Sequence, residues 1–563
     1  MKRTLLLLLA LIMVMSVMAG CGGTNEPAEP EKVEEPAEGE ETAEEKPAAA
    51  EEPGKQDGVL DVCIASEPQT IDPALNSSVD GAVMIHHAFE GLVKWVNDGE
   101  GNAVLAPGMA TSWDVSEDGT EWIFHLREAK WSDGKPVTAQ DFVYSWNRLV
   151  KPETTADYEY MLDMVKGYDE KALAIEAVDE HTFKVVLNNR TPYFEEICAF
   201  PATAPVREDI VEGNDKWTFK GETYVSNGPY IMENWEHNAK ITFVKNPEYH
   251  DAANVKAEKV VFHLMDDNNA ILAAYRSGEL DFAENMPTEE VPALLASGEL
   301  KVKPYVGTYF VCFNTKEAPF DNAKVREAFS LAIDRNFIVE KVAAAGQIPA
   351  GGFVPEGVLD AKGADGDDFR KTGGDYYSTK PEDYAANCEK ARELLKEAGY
   401  EGGAGFPVVE YLYNTSDGHK AIGEALQNMW ETELGVSVSL QNQDWAVFLQ
   451  ERKQGNFSIA RHGWIADYND PMTFIDMWLT GGGNNDAQYE NAEFDKLVKG
   501  AKAEADPDAR MKMMHDAEDL AVGKDHIVAP IYYYTNTFMV KPNVEGIYYT
   551  PLGYFFYDQA TGY

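Results

Sequence analysis

The sequence is short of basic residues, of paired cysteines and of long apolar runs, and each shortage removes a class of function. Lys and Arg number 48 against 96 Asp and Glu, a formal charge of −48. A nucleic-acid binder needs a basic face to displace the counterions of phosphate, so nucleic acid is excluded as a partner. Of the 5 cysteines, no two stand in a C-x-x-C pair, which argues against a structural zinc site. Cys63, Cys198, Cys312 and Cys388 are widely spaced, and buried thiols and disulfides both remain open for them. The apolar run Thr4–Val17 falls short of the roughly 20 residues that a membrane-spanning helix needs, and no other segment is better.

Catalytic signatures are missing as well. There is no G-x-S-x-G elbow, no H-E-x-x-H pair, no G-x-x-x-x-G-K-[ST] loop and no G-x-G-x-x-G after a strand. His86 and His87 stand side by side, which on a helix turns them about 100° apart; they read as a packed helix face, not a ligand pair. Asp266-Asp267 and Glu289-Glu290 read as loop or helix-start charges. Gly481-Gly482-Gly483 and Gly351-Gly352 read as flexible loops without the basic residue of a phosphate cradle. Nothing assembles a nucleophile, a base and an oxyanion donor. The expectation is a protein that is not an enzyme, with no catalytic residue, no metal and no cofactor.

What is present begins at the N-terminus. Lys2 and Arg3, the apolar run and the small residues Ala19 and Gly20 describe a secretory signal over residues 1–20. Cys21 follows directly, and Met18-Ala19-Gly20-Cys21 reads as a bacterial lipoprotein site, with lipid on Cys21 as the membrane anchor. Gly22–Asp57 carries thirteen acidic residues, three lysines and five prolines without one aromatic. Such a stretch buries too little apolar surface to offset its chain entropy, so residues 21–57 read as an acidic, disordered tether. The expected location is the extracytoplasmic face of the membrane.

The body, roughly 505 residues from Gly58, is too large for one core. Strand-like and helix-like patterns alternate along it. Val59–Ile64, Glu121–Leu126, Thr182–Leu187, Lys240–Val244, Lys259–Leu264 and Val436–Leu440 are short, β-branched and alternating. Val325, Ala328, Phe329, Ala332 and Ile333 fall on one helix face behind Asp321 as N-cap. Two further helices are expected to stop at Gly399 and Gly435. The class is α/β in several domains.

Five segments carry a more specific likeness: KWSDGKPVTAQDFVYSWNRL (130–149), SNGPY (226–230), FNTKEAPFDNAKVREAFSLAIDR (313–335), YLYNTSDGHK (411–420) and ARHGWIADYNDPMTF (460–474). In this order they resemble the oligopeptide-binding proteins of bacterial ABC importers, from about Ile64 to Lys541. The resemblance implies a two-lobed, periplasmic-binding-protein-like fold with an additional domain and a ligand cleft between the lobes. Lobe I would take 58–89, 207–306 and 536–563, the extra domain 90–206, and lobe II 307–535. The implied partners are short peptides and the importer's permease subunits, with the protein itself a monomer. The alternative within the family is another solute: a sugar, a nickel chelate or a signalling peptide.

To accept many peptides, a site must grip what all of them share: an α-ammonium, a carboxylate and backbone amides. Charge-assisted hydrogen bonds suit the two ends. By resemblance, Asp467 receives the ammonium, and Arg461, Arg452 and His419, with Asn414 nearby, are candidates for the carboxylate. Val79, Gly463 and Ile465 would lie along the ligand backbone as a neighbouring strand does. Trp464, Trp445, Leu449, Tyr158, Tyr305, Phe310 and Tyr534 match cleft-lining positions. Three departures bear on preference. A lysine used for one ligand length is Ala343 here, a pair of family cysteines is Gly307 and Ile465, and a pocket carboxylate is Cys312.

Overall fold

The computed structural model describes residues 58–363 and 366–563. The signal sequence, Cys21 and the acidic stretch over 21–57 lie outside the described residues.

One sheet of eleven strands organises the body. Its order is Val438–Gln443, Val409–Asn414, Ile459–Ile465, Leu300–Phe313, Val528–Val540, Phe282–Glu284, Leu60–Cys63, Lys259–His263, Lys240–Lys245 and Tyr230–Glu236, with Ile348–Pro349 added against Val528–Val540. The long antiparallel strands Leu300–Phe313 and Val528–Val540 join its two halves. Leu300 to Pro304 pair with Met539 to Thr535, and Thr308 to Cys312 pair with Tyr533 to Val528. A register shift between Pro304 and Thr308 separates the two stretches. Proline has no N–H to offer a ladder, and an irregularity of this kind bends a strand pair. Two connected strands therefore carry the chain from one half to the other at a bend.

A second, four-stranded antiparallel sheet runs Ala110–Val115, Glu121–Leu126, Thr182–Val186 and Ile175–Asp179. Helix Ala139–Val150 covers it, started by a reciprocal capping pair of Thr138 and Asp141. Its buried face places Trp146 edge-on to Phe183 at 5.2 Å. The sheet alternates buried and half-buried residues, as in EWIFHL (121–126), because only one of its faces meets a core.

Helix ends follow the local chemistry. Helix Asp417–Leu434 starts at Ser416, whose side chain accepts from the His419 N–H, and stops at Gly435 with φ 71°. Helix Tyr384–Glu397 runs into Gly399 at φ 95°. Helix Ala323–Leu331 is capped by Asn322, which accepts from the Lys324 N–H; the expected Asp321 is one residue too early. Asp267 caps helix Asn268–Ser277. His87 is buried in helix Val79–Ala88; one ring nitrogen donates to the Val83 carbonyl at 2.7 Å and the other accepts from the Tyr557 N–H at 3.1 Å. The adjacent histidines are thus packing residues. Cys63, Cys198, Cys312 and Cys388 are all free thiols, each buried.

Candidate functional site

A cavity of about 480 Å³ lies where strands Ile459–Ile465, Leu300–Phe313 and Val528–Val540 meet helix Val79–Ala88 and helix Trp445–Lys453. That volume lies within the range of small-ligand pockets, roughly 300–1,000 Å³. Fourteen of the fifteen binding residues expected from the sequence border it. The exception is Phe310. Its ring stacks on His462 at 4.6 Å and meets Phe353 and Trp478 edge-on, and none of it reaches the surface. Phe310 is core behind the strand, not cleft wall.

One end of the cavity is built around Asp467, 7 % exposed. The Tyr158 hydroxyl donates to its Oδ1 at 3.0 Å, and the Thr473 hydroxyl donates to its Oδ2 at 3.1 Å. The Asp467 N–H returns a bond to Thr473 Oγ1 at 3.0 Å, so the loop after the strand holds the carboxyl in one orientation. Among the described residues no cationic side chain pairs with it. Burial, helped by the charge of Asp476, lifts its pKa to about 8 against the pull of the two hydroxyls. A carboxyl held so is poised to ionise when a cation arrives. Beside it, Trp464 lines the wall with an indole N–H that is buried and unbonded.

The other end is cationic, through one residue. Arg461 lies over the Tyr309 ring at 5.4 Å and the Trp445 ring at 5.9 Å, and its Nε is buried without a hydrogen-bond partner. No carboxylate pairs with it among the described residues. The other two expected cations need correcting. Arg452 Nε donates to Asp486 Oδ2 at 2.5 Å, and His462 sits 3.1 Å from the same oxygen, so Arg452 is already neutralised. His419 touches the Tyr309 hydroxyl at 3.3 Å. Burial, then the charge of Arg461, drives its pKa well below the usual histidine range, so it is neutral at pH 7. Asn414, at the end of its strand, keeps a buried Oδ1 without a partner.

Between the ends, strand Ile459–Ile465 pairs along its whole length with Gly307 to Phe313. On its other side Val409–Asn414 meets it only at Ile459 and Ala460. The Gly463–Ile465 edge on that side therefore has no strand partner among the described residues, and all three residues border the cavity. Val79, at the start of its helix, borders the cavity with Leu449, Tyr305 and Tyr534. Tyr534 needs Gly463: a Cβ there would come within 2.3 Å of its hydroxyl. Gly307 and Ile465 are direct cross-strand partners, with Ile465 Cδ1 in the space a Gly307 side chain would need. Ala343 also borders the cavity, so the missing lysine leaves an apolar wall there. Sequence reasoning missed Asp80, Glu284, Thr473 and Asp486. Asp80 adjoins Val79 and Thr473 lies six residues past Asp467 in the same segment, so both were within reach; Glu284 and Asp486 become neighbours of the site only through folding.

Residues 104–486 match the model of the bacterial extracellular solute-binding proteins, family 5. The chain belongs to that family. The oligopeptide-binding protein OppA of Bacillus subtilis is 37% identical over 527 residues, covering 90% of this chain and 94% of the relative. Among solved structures, Haemophilus influenzae OppA in complex with RPPGFSPFR superposes with a TM-score of 0.83 at 34% identity, over 90% of this chain and 99% of that one. The fold is thus of the periplasmic-binding-protein type. The Escherichia coli murein tripeptide binding protein MppA superposes at 0.81 with 34% identity, covering 89% of this chain and 98% of that one. The unliganded open form of MppA reaches only 0.56, over 90% of this chain and 96% of that one. This structure thus departs from the open arrangement of that protein. Among the described residues no helix is long and apolar enough to cross a membrane.

Proposed function

We propose that this family 5 solute-binding protein captures short peptides in the cavity and delivers them to an ABC importer, with Asp467 receiving the peptide α-ammonium. One observation carries the reading: a buried carboxyl, fixed by two hydroxyls, has no cation of its own among the described residues, and a guanidinium without a carboxylate among them borders the same cavity. A zwitterion with an extended backbone complements this pair of ends. The unpartnered Gly463–Ile465 edge offers the middle of such a ligand main-chain hydrogen bonds, the mode that tolerates any side chain. A neutral sugar would leave the Asp467 carboxyl without the cation it lacks. The relatives named above are peptide-binding proteins, which supports the same choice.

In this reading, residues 58–89, 207–306 and 536–563 form one lobe, 307–535 the second and 90–206 the extra domain. The continuous sheet bent near Pro304 is their hinge, and lipid on Cys21 with the acidic stretch behind it tethers the protein outside the membrane. Native mass spectrometry of protein purified without refolding is the test. Co-purifying peptides of a few residues are expected; a clean sugar or nickel complex refutes the reading. Labelling with palmitate, lost in Cys21→Ser, tests the tether.

A further inference from the structure

The charges facing the cavity do not balance with a plain zwitterion. Arg452 and His462 are taken by Asp486, and Lys453 pairs with Asp157. Among the described residues this leaves Arg461 as the cavity's cation without a carboxylate. Against it stand, besides the solvent-exposed Asp266, three carboxyls withdrawn from solvent and without a cation: Asp467, Asp80 and Glu284. A peptide's own termini answer Asp467 and Arg461, and two acidic side chains remain.

Their settings differ from a solvated acidic patch. Asp80 stands in the first turn of helix Val79–Ala88, next to the residue expected beside the ligand backbone. Its Oδ2 is buried with no hydrogen-bond partner, while Ser78, Trp445 and the backbone N–H groups of Asp80 and Gly81 approach the carboxyl. Glu284 ends strand Phe282–Glu284 at the sheet's crossing and accepts from Asn536. The two lie close enough for the charge of Asp80 to push up the pKa of Glu284, after burial itself. Both border the cavity. An acceptor sealed from water without a donor is costly, and a ligand donor is the group that relieves it.

We infer that Asp80 and Glu284 form a side-chain pocket that selects peptides carrying a lysine or arginine. The inference rests on the peptide reading and sharpens it to a ligand class. A charge-assisted bond in a buried site contributes roughly 1.5–3 kcal/mol, about 10- to 150-fold in affinity.

The test is isothermal titration of the intact protein, freed of co-purified ligand, with alanine tripeptides bearing one lysine, norleucine or glutamate at position 2 or 3. Wild type is expected to prefer lysine over norleucine at one position by about tenfold or more, with glutamate weakest. In the double variant Asp80→Asn, Glu284→Gln the lysine preference should collapse while the norleucine peptide still binds, which also reports a folded cleft. Equal or better binding of norleucine by wild type at both positions overturns the inference but leaves peptide capture intact. Retention of the lysine preference by the double variant overturns it too. If no tripeptide binds wild type, the peptide reading falls and takes the inference with it.

Discussion

Asp467 shows how much one side chain decides here. Its pKa of about 8 in the fold stands against an ordinary 3.8. The folded, ligand-free protein therefore holds a proton between these values that the unfolded chain has released. The sign follows: this residue's contribution to stability falls as pH rises from about 4 to about 8. A bound ammonium reverses the preference, because it pairs with the carboxylate. Peptide capture at pH 6.5 should release about one proton, read by calorimetry in buffers of different ionisation enthalpy. Affinity should climb from pH 5 towards 8, where the peptide amine itself, with a pKa near 8, begins to lose its charge. Asp467→Asn should abolish the proton release and weaken binding by about 2–5 kcal/mol. Unchanged proton release in that variant would refute the assignment. The role of Asp467 was legible in GWIADYNDP through resemblance. The loss of Arg452 to Asp486 was not, since the two stand 34 residues apart in the chain and nothing local in either segment predicts their meeting.

At the scale of elements, short patterned pieces were legible and the long ones were not. Glu121–Leu126 alternates over a uniform environment and is found to the residue. Leu300–Phe313 has exposed Lys301, Val302 and Pro304 near its start and ends in seven consecutive buried residues, because one strand passes from a solvated edge into the centre of the sheet. No single period describes it, and the same holds for Val528–Val540. Gly399 and Gly435 stopped their helices because left-handed φ is nearly free for glycine. Asp321 and Asn322 are both good caps, and only packing chose between them. The crossing strands carry their own test. Gly307 faces Ile465 across the ladder, and a Cβ there would lie 2.3 Å from Ile465 Cδ1 and 2.6 Å from the Trp464 carbonyl oxygen. Gly307→Ala should destabilise by about 1–3 kcal/mol, the usual penalty of overpacking. Ile465→Ala in the same chain should recover part of that loss and not all, since the backbone oxygen stays. Urea midpoints of the two single variants and the double variant measure it; simple additivity would show that the two residues do not compete for space.

For the whole molecule, the question is what holds segment 90–206 against segment 307–535 around the cavity. Contacts across this boundary are numerous and specific. Tyr193 stacks on Tyr468 at 4.2 Å with nearly parallel rings, and the Asn469 N–H donates to Glu196 Oε2 at 2.9 Å. Tyr158 reaches Asp467 across the same boundary. A further link is a largely buried triad, in which Lys502 joins Asp476 at 2.8 Å in its own segment to Asp163 in the other. Asp476 is 4 % exposed. Burial lifts its pKa to about 6, with Lys502 opposing the rise. Removing the lysine would leave two carboxylates facing each other across the boundary, a loss of the order of 3–5 kcal/mol for a buried pair. Lys502 does not border the cavity, so any effect on ligand acts through the arrangement of the segments. Lys502→Met should therefore lower peptide affinity by about tenfold or more and enlarge the radius of gyration of the ligand-free protein in X-ray scattering. Asp163→Asn combined with Asp476→Asn and Lys502→Met removes the repulsion and should restore much of both. A Lys502→Met protein with normal affinity and unchanged scattering would show that the aromatic stack and the Asp467 link suffice to hold the segments together.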